Sequence, residues 1–441
     1  MNERKLRAEE NSDYLGRHSE ALSAIMFLNT PVSVNGVDTP TFINTSLYDF
    51  LCYVKAHDPV LFSLLDIARK SPGEWKAIYN DEIQRIDTGG FDHGPADNDG
   101  KTGLNYGKLQ LDPRFNTSRI AGVLQIVEHI KPGKKFAEDD VLVDVLAGNG
   151  TFGRVMRRFV EEKFRPFVID HDVSNILINE ALQNLHHAVR GLVRNSLLAD
   201  KIAIGAVSAY GSHHVPLEKR KEFMGGVVRL IQDEGRFVLH DFEEGSPTAR
   251  FYSEAINKNR RGGHNFRHYT PDTMHAVLDP LFRDVAIHGI YAPYNIVGTP
   301  GQSGEDLKRE ALAYLVTLFT LEGFLPNDPS KPGSKLPYEK LREYDDVEYW
   351  RALEDKLAPY HTFERGKIKD NFVPPDVVLI DGTKISTPVV EQITVFERGQ
   401  LFPESPAQIV IPRVDLVAVA SGPRGRKIGV SFSGPDDTLG R

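Results

Sequence analysis

Residues 141–154, VLVDVLAGNGTFGR, constrain this chain more than any other stretch: an apolar run ends in an acid, turns through two glycines and leads into a helix. The helical spacing is carried by Phe152, Val155, Met156, Phe159 and Val160, which share one face. Glycine adopts backbone angles that other residues resist and lets a backbone pass close to a ligand. A strand that feeds a helix N-terminus through such a turn is how nucleotide-binding α/β domains begin. The three-glycine dinucleotide fingerprint and the Gly-Lys-Ser/Thr of a P-loop are both absent. The expected ligand is therefore an adenosine compound recognised by something other than its phosphates.

Further strands follow in order. Residues 166–174, PFVIDHDVS, read as a second strand ending in acids, and residues 175–188 have helical periodicity. GLVRNS, 191–196, reads as a third strand and its exit. IAIGAVS, 202–208, is a small-residue apolar run suited to a fourth strand buried on both faces. The amphipathic EKRKEFMGGVVRLIQDEG then predicts a long helix, and RFVLHDF a fifth strand. RDVAIHGIYAPYNIVG supplies two more strand-like runs, completing a sheet of about seven strands.

With these pieces in order, the glycine turn resembles motif I of class I S-adenosylmethionine (SAM)-dependent methyltransferases. It reads Asp144, Val145, Leu146, Ala147, Gly148, Asn149, Gly150, with Leu146 where the family normally has its first glycine. The resemblance implies a Rossmann-like, mostly parallel α/β sheet and SAM as cofactor. It also implies that Asp172, followed by Val173 and Ser174, binds the ribose hydroxyls, with Asp170 as a rival one register earlier. A carboxylate suits this because it accepts from two donors at once. Asn195, beside Ser196, stands where the family often has an acid facing the adenine amino group. The segment from Ser208 to Pro216, SAYGSHHVP, is similar to the family's motif at the mouth of the active site. Tyr210 would lie over the sulfonium, an attraction of roughly 0.5–2 kcal/mol, and Ser208 and Ser212 would bind the amino acid tail.

His213, His214 and His264 are candidate general bases, because imidazole titrates near neutral pH. An alternative reading has one of the doublet capping the next helix and only the other reaching the pocket. His264, His268 and Tyr269 in GHNFRHYTPDTM are second-tier candidates for the acceptor site. No metal ion is expected: His264 and His268 have i,i+4 spacing, but no metal-binding motif accompanies them and the next helix starts only at TPDTM.

Three regions are expected: residues 1–115, mainly helical with a Gly/Asp-rich loop; 116–300, the cofactor domain; and 301–441, a helix followed by a small β-rich extension. The loop at 84–113 reads as a linker or a lid, and Asn116 or Thr117 as the cap of the helix SRIAGVLQIVEHI. The tail runs VVLIDGTKI, VEQITVFERG and AQIVIPRVDLVAVA match no family. Building part of the substrate pocket, contacting a second subunit as in a homodimer, and extending the sheet all stay open for them.

The 53 basic and 61 acidic residues leave a net charge of −8 without a dense basic cluster, which disfavours nucleic acid as a partner. No run approaches the roughly 20 apolar residues needed to cross a bilayer, so a soluble cytoplasmic protein is expected. Cys52 is the only cysteine, which excludes an internal disulfide. Three functions are compatible with these readings. The first is methyl transfer from SAM to a small-molecule acceptor, in small-molecule biosynthesis. The second is a SAM cyclase, whose product is azetidine-2-carboxylate with methylthioadenosine. The third is a non-catalytic binding protein of the same fold.

Overall fold

The computed structural model describes residues 2–28, 44–86, 122–123, 126–131, 135–160, 162–183, 186–260, 263–291, 294–299 and 301–360, short pieces between 363 and 398, and residues 408–411 and 413–424. Most of the Gly/Asp-rich loop and the caps proposed at Asn116 or Thr117 lie outside the described residues, as do large parts of the tail.

The N-terminal region contains the helices α1 (Asn2–Arg17), α2 (Leu47–His57) and α3 (Pro59–Leu64). Ser46 caps α2 by accepting from the Asp49 amide, and Asp58 caps α3 by accepting from Leu61. These helices do not form a separate core. Phe27, Phe50, Leu61, Trp75 and Tyr79 belong to the same apolar cluster as Val143, Ile169 and Leu197 of the sheet region.

The sheet is built from β1 (Val141–Val145), β2 (Phe167–Asp172), β3 (His187–Arg190), β4 (Ala203–Ala209), β5 (Ile231–Phe242) and β6 (Phe282–Tyr291), completed by a strand from the tail. Helices α4 (Thr151–Phe159), α5 (Asn175–Gln183) and α6 (Leu217–Leu230) connect the parallel strands. Helix α7 (Pro271–Leu278) leads into β6. Beyond it lie β7 (Tyr294–Val297), α8 (Gly304–Leu318), α9 (Val347–Leu357), β8 (Gln408–Ile411) and β9 (Val414–Pro423).

The strand order is β3-β2-β1-β4-β5-β9-β6. Strands β1 to β5 are mutually parallel, and β9 runs antiparallel to both β5 and β6. This is a Rossmann-like, mostly parallel α/β fold. The order reverses between β1 and β4, and in open α/β sheets ligands bind beyond the carboxyl ends of the strands at that switch point.

Three sequence expectations change. The third strand is HAVR, 187–190, rather than GLVRNS: Ala188, Val189 and Arg190 are buried in the ladder, and Val193–Asn195 form a 3₁₀ turn after it. The helix expected to run to Gly235 ends at Leu230, because β-branched Ile231 is buried and already pairs with Ala203. The seventh strand is not Tyr294–Val297, which pairs with β8 in a small separate sheet, but β9 from the tail. The boundary expected at residue 300 thus separates strands that one sheet joins.

Both faces of the sheet are covered, as a parallel sheet requires. Opposite the N-terminal helices, Val123, Ile126, Phe152 and Met156 pack on Leu142, Val168 and Val207. The segment between β6 and β9 forms a third cluster, in which α8 and α9 pack with Phe242, Tyr294 and Ile409. Ser303 caps α8 by accepting from Asp306. Among the described residues, no helix is long and apolar enough to cross a membrane.

Candidate functional site

The turn after β1 reverses the chain with three left-handed residues, Leu146 (φ 64°), Gly148 (φ 58°) and Gly150 (φ 77°). A side chain at Gly150 has no room: a Cβ there would lie 2.4 Å from both Asp170 Oδ2 and His186 Nδ1. Leu146 accepts the left-handed conformation at a steric cost that glycine avoids. Its amide donates to the His171 carbonyl at 2.8 Å, tying the turn to β2. Asp172 completes the tie, since Oδ2 accepts from the Gly148 amide and Oδ1 from the Ser174 amide, each at 2.8 Å.

A cavity of about 650 Å³ opens at this edge of the sheet. That volume is in the range of small-molecule and cofactor sites. Of the residues singled out from sequence for the cofactor, Asp144, Leu146, Ala147, Gly148, Asn149, Asp172 and Val173 line it. Asp170 does not; its Oδ2 is 2.5 Å from His186 Nδ1. Gly150 is also off the cavity, packed on that same pair. Asn195 and Ser196 are not among the lining residues, because the third strand ends earlier than expected and the cavity wall there is Gly191, Leu192, Val193 and Arg194. Ser196 Oγ instead accepts from the Leu198 amide. Ser208 lies within β4, fully buried and off the cavity.

The residues proposed for chemistry divide into two groups. Tyr210 and His214 line the cavity, with Gly211 between them and Phe266 nearby. Ser212, His213 and His264 are withdrawn from it. Ser212 Oγ donates to Asp241 Oδ2 at 2.5 Å, His213 Nδ1 lies 2.8 Å from Asp241 Oδ1, and His213 Nε2 lies 3.3 Å from His264 Nε2. His268 joins this buried group, with Nδ1 3.9 Å from Asp241 Oδ1. Residues 264 to 268 have no helical structure, so it is the loop's path and not i,i+4 spacing that brings the two histidines together. A smaller cavity of about 60 Å³ lies on this side, and Tyr210 and His214 line both.

Burial dominates the electrostatics. It raises the Asp144 carboxyl well above the usual range, assisted by the negative charges of Asp170 and Asp172. It lowers His171 on the cavity wall to about 3, with Arg229 adding to the effect. Burial and the neighbouring His213 and His264 hold His214 well below its ordinary value, so it is neutral and a weaker base than a free imidazole. Burial opposes ionisation of Asp241, but His213, His268 and Ser212 outweigh it and keep the carboxyl well below the ordinary range.

Several contributors were not singled out from sequence. His240 lines the cavity, with its ring 4.1 Å from that of Tyr210 and its Nε2 3.0 Å from Asp415 Oδ2. Arg413 sits beneath, bonded to Tyr210 and Tyr294 and 3.3 Å from Asp415. The available signal was the spacing in IPRVDLV: opposite charges two apart in an apolar run fall on one face of a strand, where burial requires that they pair.

No protein-family model matches the sequence. No curated protein matches it either. Among solved structures, phosphoethanolamine N-methyltransferase 2 of Haemonchus contortus in complex with S-adenosyl-L-methionine is similar over 77% of this chain and 61% of that one, at 11% identity and a TM-score of 0.38. The chain thus spans about three fifths of that protein's length. Geranyl diphosphate C-methyltransferase from Streptomyces coelicolor A3(2), solved with Mg2+, geranyl-S-thiolodiphosphate and S-adenosyl-L-homocysteine, is similar over 68% of this chain and 75% of that one, at 12% identity and a TM-score of 0.32. Likenesses this distant carry no weight for the site, and the fold assignment stands on the strand order.

Proposed function

We propose that this protein binds S-adenosylmethionine in the 650 Å³ cavity and transfers its methyl group to a small-molecule acceptor. The observation that carries this reading is the convergence on one cavity, at the sheet's switch point, of the turn after β1, Asp172 after β2 and the Tyr210–His214 segment after β4. Each Asp172 oxygen accepts a backbone amide, which fixes the direction of a carboxylate that lines the cavity and suits the ribose hydroxyls. Leu146, Leu177, Leu192 and Phe223 supply apolar walls.

Rate enhancement in such a site comes from holding the acceptor in line with the methyl and sulfur, excluding water and removing a proton. Of the three candidate bases, His214 is the one on the cavity and takes that role. Tyr210 serves as an orienting wall more than as a receptor for the sulfonium, since the Arg413 cation already lies 4.3 Å from its ring centroid. Cyclisation of SAM is the weaker reading: Ser208 and Ser212, which would have shaped a tail pocket for it, are withdrawn from the cavity, and only Leu146 still favours it.

Incubating the protein with SAM alone, and then with small hydroxyl, amine and carbon-acid acceptors, tests the proposal by product analysis. Methyl transfer predicts S-adenosylhomocysteine only when an acceptor is present. Methylthioadenosine formed from SAM alone would establish the cyclase instead.

A further inference from the structure

His213, His214 and His264 offer ring nitrogens that all lie within 4.8 Å of one another. His213 Nδ1 faces the ionised Asp241, which fixes the tautomer: Nδ1–H donates to the carboxylate, and Nε2 presents its lone pair to the His264 Nε2. A carboxylate behind a histidine is the usual support for a metal ligand. Asp241 is itself anchored by Ser212 Oγ and by the backbone amides of His213 and Phe242.

The distance between the two Nε2 atoms, 3.3 Å, is long for a hydrogen bond. It does match a tetrahedral edge: two nitrogens about 2.0–2.1 Å from a zinc-like ion are roughly 3.3 Å apart. Both ring nitrogens of nearby His268 are buried without a hydrogen-bond partner.

We infer that His213, His214 and His264 form a three-histidine site for a divalent first-row transition ion, oriented by Asp241, with its fourth position open. Imidazole donors suit zinc and its neighbours and do not suit magnesium. The open position faces the 60 Å³ cavity, where Arg260 and Tyr252 also lie. Two positive charges there select an anionic oxygen ligand. Because His214 lines both cavities, the ion would stand between that ligand and the larger site. With an ion bound, His214 would be a ligand, so the proton-accepting role proposed above belongs to the ion-free protein.

The test uses the full chain, stripped with a chelator and titrated with Co2+ and then with Zn2+ against a chromophoric competitor. The expected result is one ion per chain with the visible absorption of tetrahedral cobalt. His213→Ala and His264→Ala should each weaken binding on the order of a hundred-fold, and Asp241→Asn about 10–100-fold. The control His275→Ala, at a part-exposed position of α7, should bind as the parent does. Should the variants misfold, the imidazole ¹⁵N shifts of the parent, with and without Zn2+, give the same answer without a substitution. Parent affinity no better than that of the double variant His213→Ala/His264→Ala, an octahedral cobalt spectrum, or unmoved imidazole shifts would overturn the inference. The ion titration needs no SAM, so its outcome is independent of the cofactor reading.

Discussion

Arg413 donates from Nη2 to the Tyr210 phenol oxygen at 2.5 Å, and its guanidinium carbon lies 4.3 Å from the Tyr210 ring centroid. The two residues are 203 positions apart, one at the mouth of β4 and one just before β9. A strand from the tail therefore holds a wall of the cavity formed by the parallel strands. Arg413 is fully buried, with Asp415 as its counter-charge.

Removing one member of such a pair leaves an uncompensated buried charge. Arg413→Met should destabilise the protein by about 3–5 kcal/mol, whereas Arg413→Met combined with Asp415→Leu should recover much of that loss. Urea unfolding of both variants checks this. A single variant as stable as the parent would mean that the clamp contributes nothing to the fold.

Leu146 and Gly150 share the left-handed conformation but differ in their surroundings. Leu146→Gly should relieve roughly 1–2 kcal/mol of backbone strain, partly offset by about 0.5–1 kcal/mol of glycine entropy, and should tighten cofactor binding by letting the backbone approach. Gly150→Ala should destabilise by about 1–3 kcal/mol, because it adds a left-handed alanine against Asp170 and His186. Thermal unfolding and cofactor titration of the pair provide the check; equal effects from both substitutions would contradict the geometry.

Burial lowers His171 to about 3 and His264 to about 2, and it also lowers His213 and His214. For a depressed histidine the unfolded chain binds more protons below its ordinary value near 6.5. Stability is therefore present above that value and is lost as pH falls from about 6.5 towards 3, by up to about 1.4 kcal/mol per histidine per pH unit. Asp144, whose carboxyl is raised, contributes with the opposite sign: its share declines as pH rises above the ordinary aspartate range. His129 and His186 are lowered as well, and Glu180 is raised as Asp144 is, so the histidines outweigh the acids and the urea midpoint should fall steeply between pH 7 and pH 5, with net proton uptake on unfolding. A midpoint that is flat or rises on acidification would contradict the burial of these imidazoles.

The parts of the fold that were legible in sequence are those where local pattern and tertiary role agree. The β1 turn, Asp172 and the SAYGSHHVP exit could be read because strand, turn and helix each leave a short-range signature, and the sheet's C-terminal edge gathers them. Asn195 and Ser196 were misplaced because HAVR can also be read as the end of a helical period, which shifted the third strand by four residues. The partners of Asp241 and the antiparallel insertion of β9 depend on contacts between residues tens to hundreds of positions apart. Periodicity does not record such contacts; the β-type run AQIVIPRVDLVAVA marked a strand in the tail without saying which neighbours it would pair with.

The most direct test of the central claim is calorimetric titration of the protein with S-adenosylhomocysteine, run beside Asp172→Ala. The account predicts one site per chain in the parent and a roughly ten- to hundred-fold weaker one in the variant, the equivalent of losing a charged acceptor worth about 1.5–3 kcal/mol. No binding by the folded parent, or the same affinity in both proteins, would contradict it.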